Sequence, residues 1–85
     1  MISKVIQVVV PDEASTIQLP AETWFFIIKN IGPNPVSFNF DDDALTDYIK
    51  IDVNEKVGPI AAPIGRALNV DGIGGDATIE VVLWG

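Results

Sequence analysis

The sequence predicts an all-β fold, a sandwich or barrel of about eight short strands in one domain. Three observations carry this. The apolar segments are short and rich in Val, Ile and aromatic residues, which suit a pleated, half-buried surface. Pro, Gly, Asn and Asp separate them at roughly ten-residue spacing, as turns do in sandwiches and barrels. No segment joins a helix cap to a 3.6-residue apolar period over three turns.

The elements follow in order. Ser3 to Val10 reads as the first strand, closed by Pro11-Asp12-Glu13. Thr16 to Leu19 is a short second strand ending at Pro20. Trp24 to Lys29 is apolar on both alternating faces, which suits a strand covered on both sides or facing a partner. Asn30 to Pro35 is a run of turn formers, and Val36 to Phe40 alternates as a strand with one wet face. Trp24–Phe40 is therefore expected to be a β-hairpin. Asp41 to Thr46 is an acidic loop, because adjacent like charges repel within a strand. Asp47 to Ile51 is a fifth strand. Val57 to Ile60 is short, and Pro59 confines it to an edge or a bulge. Arg66 to Val70 is a strand. Asp71 to Asp76 is a turn whose three glycines accept positive φ. Ala77 to Trp84 is the last strand.

Composition limits the chemistry. Eighty-five residues support one domain, residues 1–85, with a single core. There is no Cys for a disulfide or thiolate site and no His for the usual general base. Five basic residues stand singly against twelve acids, giving a net charge of −7 and disfavouring nucleic-acid phosphates. No apolar run approaches the ~20 residues of a membrane helix, and the N-terminal residues lack signal-peptide features. Yet 48% of residues are hydrophobic, so disorder is not expected.

Each candidate for chemistry has a plainer reading. Asp41, Asp43, Asp47 and Asp52 offer oxygen atoms to Ca²⁺ or Mg²⁺. An EF-hand loop from Asp41 would need an oxygen ligand, Gly and Glu where Leu45, Thr46 and Asp52 stand. Asp41, Asp43 and Asp47 are thus weak metal candidates in a solvated loop, and no metal or cofactor is expected. Carboxylate pairs are inevitable among twelve acids and do not define a glycosidase. Ser3, Ser15 and Ser37 have no histidine to activate them. Gly72-Ile73-Gly74-Gly75 is followed by Asp76 and a strand, not by the Lys-Ser/Thr of a phosphate loop. The expectation is a protein without catalytic activity. Trp24, Phe25, Phe26, Phe38, Phe40, Tyr48 and Trp84 serve as core, interface or stacking platform. Ile6, Val8, Trp24, Phe26 and Trp84 are the candidate partner contacts.

The string from Phe25 to Phe40, FFIIKNIGPNPVSFNF, resembles a pattern in small structural proteins of tailed-bacteriophage virions. Asp47-Tyr48-Ile49, Gly58-Pro59-Ile60 and the terminal strand ending in Trp84-Gly85 extend the resemblance over about three-quarters of the chain. It implies a jelly-roll-like β-sandwich acting as a capsid decoration, or cement, protein. It also implies a homo-oligomer, a trimer being favoured, bound to the major capsid protein on the virion surface after synthesis in the host cytoplasm. It brings no catalytic residues. The alternative is a carbohydrate- or receptor-binding module of a head fibre or tail, with Trp24, Tyr48 or Trp84 as platform.

Overall fold

The computed structural model describes residues 3–39, 49–62 and 65–85. Eight strands run through them: β1 (Ser3–Val10), β2 (Ser15–Gln18), β3 (Phe25–Pro33) and β4 (Val36–Asn39), then β5 (Ile49–Ile51), β6 (Lys56–Ala61), β7 (Ala67–Gly72) and β8 (Ala77–Trp84). They form two four-stranded antiparallel sheets. The front sheet has the order β1-β8-β3-β6 and the back sheet β2-β7-β4-β5. β1 pairs with β8, β2 with β7, β3 with β6 and β4 with β5. Each pair of labels adds to nine, the mark of one long hairpin rolled into two sheets, and this is the jelly-roll order.

Alternation sets the core. The inward positions of β8 are Ala77, Ile79, Val81 and Leu83, all buried. Phe26 and Ile28 of β3 stand beside Leu83 and Val81, and Val36, Phe38, Ile51, Leu68 and Val70 close the core from the back sheet. Burying one such side chain contributes roughly 1.5–3 kcal/mol, so two sheets with one apolar face each suffice for a domain of this length.

The expected Trp24–Phe40 hairpin does not form. β3 lies in the front sheet between β8 and β6, while β4 lies in the back sheet between β7 and β5. The intervening Asn34-Pro35 is a corner between sheets. Asn30 fixes it from a fully buried position. Its Nδ2 donates to the carbonyls of Asn34 at 2.8 Å and Ile51 at 3.0 Å, and its Oδ1 accepts from the Gly32 amide at 2.8 Å. Its main chain is bonded to Glu55 and Asn54. One side chain therefore joins the end of β3 to the corner and to β5.

Two further expectations change. The polar face of β4 is not wet: Ser37 and Asn39 are both buried. Gly72 belongs to β7, not to the turn, and only Gly74 and Gly75 there have positive φ. A side chain at Gly72 would collide with the carbonyl oxygens of Gly75, Pro11 and Val10. The edge position expected for Pro59 is correct. β6 is an edge strand, and Gly58-Pro59 lies opposite a register shift between Phe26 and Ile28. The acidic loop, the start of the Asp47–Ile51 strand and the metal candidates Asp41, Asp43 and Asp47 lie outside the described residues, as do Phe40 and Tyr48.

Candidate interaction surface

The two sheets present outer faces of opposite character. On the back sheet, Thr16, Asn69 and Asn39 stand side by side across three strands. Thr16 Oγ1 donates to Asn69 Oδ1 at 3.4 Å, and Asn69 Nδ2 donates to Asn39 Oδ1 at 3.2 Å. Ser37, Asp71 and Lys50 form the next row of that face. These rows are polar; within them Ser37 and Asn39 are buried, and Ser37 Oγ donates to the Asp71 carbonyl at 3.5 Å.

The outer face of the front sheet is built from the opposite parity of the core strands. Its first row is Ser3, Trp84, Phe25 and Ala61. The second is Val5, Val82 and Ile27, and the third is Gln7, Glu80, Lys29 and Lys56. The first two rows are almost wholly apolar, and Trp24 borders them. Trp24 is 65% exposed and Val5 58% exposed, with Phe25 also exposed. Phe25 and Trp84 stack across the strands, with ring centroids 6.1 Å apart and planes at 27°. The backbone of Trp24 is clamped on both sides, its amide donating to the Trp84 carbonyl at 3.0 Å and its carbonyl accepting from the Ala62 amide at 2.8 Å. Its ring is thereby held at the corner of the sheet, against Gly85. Gln7 Nε2 donates to Glu80 Oε2 at 3.4 Å, and Lys29 faces Glu80 across the strands. The result is an aromatic and aliphatic field with a charged border.

Sequence reasoning identified this surface only in part. Trp24 and Trp84 belong to it. Phe26 does not: it is 0% exposed and its ring lies in the core, out of reach of a partner. Ile6 and Val8 point inward and pack half-buried against the core. The outward residues of β1 are instead Val5 and Val9. Val5, Val9, Ile27 and Val82 were missed, and Phe25 was named only among the aromatics as a whole, although parity marks all five. Gln7 in β1 and Lys29 in β3 are polar interruptions that label the solvent-side positions of their strands.

The ionisable groups gather elsewhere. At the end of the sandwich where β1 leads to β2 and β7 to β8, the Asp12 amide donates to Asp76 Oδ1 at 3.2 Å. Burial pushes the Asp71 carboxyl above its ordinary range, and the charges of Asp12 and Glu13 push it the same way. Among the described residues, no three acidic side chains converge in a way that could hold a metal ion.

Compared with known proteins, the chain finds no match: no family model, no curated protein and no solved structure is similar to it. The fold is thus an acidic jelly-roll sandwich, with eight strands among the described residues and outer faces of contrasting polarity.

Proposed function

We propose that this protein is a structural module that works by association, its contact surface being the outer face of the front sheet. One observation carries the reading: the contrast between the polar back face and the Trp24–Phe25–Trp84–Val82–Val5 field. Monomeric proteins rarely expose a contiguous apolar field bordered by charge unless something docks there. Aromatic residues are enriched at the cores of such interfaces. The net charge of −7 keeps unassembled copies soluble.

The setting proposed is a tailed-phage virion, in which the chain decorates and stabilises the head. The support is the resemblance of Trp24 to Gly85 to small virion proteins. A jelly roll by itself assigns no function. The test is to titrate the protein onto undecorated heads assembled from the accompanying major capsid protein and count bound copies. Saturable binding at a fixed ratio supports the reading, and absence of binding refutes it.

A second reading draws on Trp24 beside the stacked Phe25–Trp84 pair, an arrangement suited to stacking on a sugar ring. Titration of tryptophan fluorescence with a glycan panel separates the two. Quenching by one glycan class would move the function to carbohydrate recognition.

A further inference from the structure

We propose that β1 is a self-pairing edge, through which two copies of this chain join their front sheets about a two-fold axis. The inference begins with the four sheet edges. An unpaired strand edge is a template for another chain, and folded proteins blunt such edges by shortness, proline, bulges or charge. Three of the four edges here carry those devices. β2 has four residues, and β5 carries Lys50 within its described residues. β6 contains Pro59 and faces a register shift in β3. β1 carries only one of them, a single charge at Lys4 near its start. It has eight residues, pairs with β8 without a register shift, and contains no proline, glycine or acid. Among the described residues nothing pairs with its other side.

Charge names a second copy as the occupant. The chain has a net charge of −7, which drives copies apart over most of its surface. β1 departs from that pattern, since Lys4 is its single charge and is positive. Two β1 strands approaching each other bring no carboxylates together along the edge.

The side chains supply a register. In an antiparallel pair, residues directly opposite share a face, so a two-fold pairing must place outward residues on outward residues. Centring the axis on Gln7 does so. Gln7 then faces Gln7 of the second copy, where two amide side chains can bond each other. Val5 faces Val9 on the outer side, and Ile6 faces Val8 on the inner side. Val5 and Val9 are 58% and 64% exposed in one copy, and Ile6 and Val8 are half-buried. The pairing covers all four. It also joins two outer faces into one eight-stranded sheet, roughly 35–40 Å wide at a strand spacing near 4.8 Å.

The full chain lacks cysteine, so one introduced thiol reports one position. Gln7→Cys places thiols across the proposed axis. Lys56→Cys occupies the same row on the opposite edge of the sheet. Mass is measured by sedimentation over a concentration series, and cross-linking by mild oxidation and a non-reducing gel. The melting temperature of each variant establishes that it is folded. The pairing predicts a monomer–dimer equilibrium, with cross-linked dimer at least tenfold more abundant for Gln7→Cys than for Lys56→Cys. The double variant Val5→Lys/Val9→Lys, at two solvent-exposed positions, shifts the folded protein to monomer. A monomer at all concentrations, a trimer, or equal cross-linking of the two cysteine variants overturns it. So does a dimer in which Gln7→Cys fails to cross-link.

Discussion

Replacing Asn30 with alanine tests how the two sheets are held in their jelly-roll order. The side chain makes three hydrogen bonds, two of them buried, to Ile51 and Gly32, and one part-buried, to Asn34. A net hydrogen bond contributes about 0.5–1.5 kcal/mol, and a buried partner left unsatisfied costs about 1–3 kcal/mol. Loss of three gives a destabilisation of roughly 3–5 kcal/mol, allowing for partial relaxation. At about 0.05–0.15 kcal/mol per residue, a chain this short has only roughly 4–13 kcal/mol in total. A shift of about 4–8 °C per kcal/mol then lowers the melting temperature by at least roughly 12 °C. Urea unfolding followed by far-UV circular dichroism measures the free energy directly. Asn30→Asp should fare no better, because a carboxylate accepts from Gly32 but donates nothing to the two carbonyls. A loss below about 1 kcal/mol for Asn30→Ala would refute the claim that this residue fixes the corner.

Other substitutions probe separate parts of the account. Thr23 is fully buried, and its Oγ1 has no hydrogen-bond partner among the described residues; Thr23→Val should stabilise by about 1 kcal/mol in the same urea experiment. Gly58 has φ of +129°, and a Cβ there would sit 2.8 Å from the Phe26 carbonyl oxygen. Gly58→Ala should therefore cost about 2 kcal/mol or more. Phe26→Ala should cost about 3–5 kcal/mol by opening a core cavity, whereas Trp24→Ala should stay within about 0.5 kcal/mol; equal losses would reverse the assignment of faces. Asp71 has a raised folded pKa, so the folded state binds more protons than the unfolded state between the ordinary value of 3.8 and the folded one. Stability attributable to Asp71 falls as pH rises through that window and stays lowered above it. Asp71→Asn should accordingly raise the melting temperature at neutral pH and leave it unchanged below the ordinary carboxylate range.

Much of the fold was legible because its signals are local. β1 and β8 run from Ser3 to Val10 and from Ala77 to Trp84, as apolar content and flanking turn residues predict. Pro59 marked an edge for the same reason. Strand partnership is not local, and there the reading failed. The run Asn30 to Pro35 carries turn chemistry equally suited to a hairpin and to a corner between sheets. Asn30 decides between them through bonds to Ile51, Glu55 and Asn54, more than twenty positions away. The polar alternation of Ser37 and Asn39 was read as exposure, but polar side chains are also buried where hydrogen bonds compensate, as Asn69 does for Asn39. For the interaction surface, apolar content was the wrong guide and parity the right one. Phe25 and Phe26 are chemically identical, and only their offset from Lys29 separates solvent side from core.

The most direct measurement is the number of copies bound per undecorated head, compared between the native chain and the double variant Trp24→Ser/Val82→Thr. Val82 lies on the outer face of the front sheet and Trp24, 65% exposed, borders it, so the variant should fold and melt close to the native protein. Saturable binding by the native chain, lost in the variant, is the predicted result. Equal binding by both, or no binding by either, would contradict the assignment of that face as the contact surface.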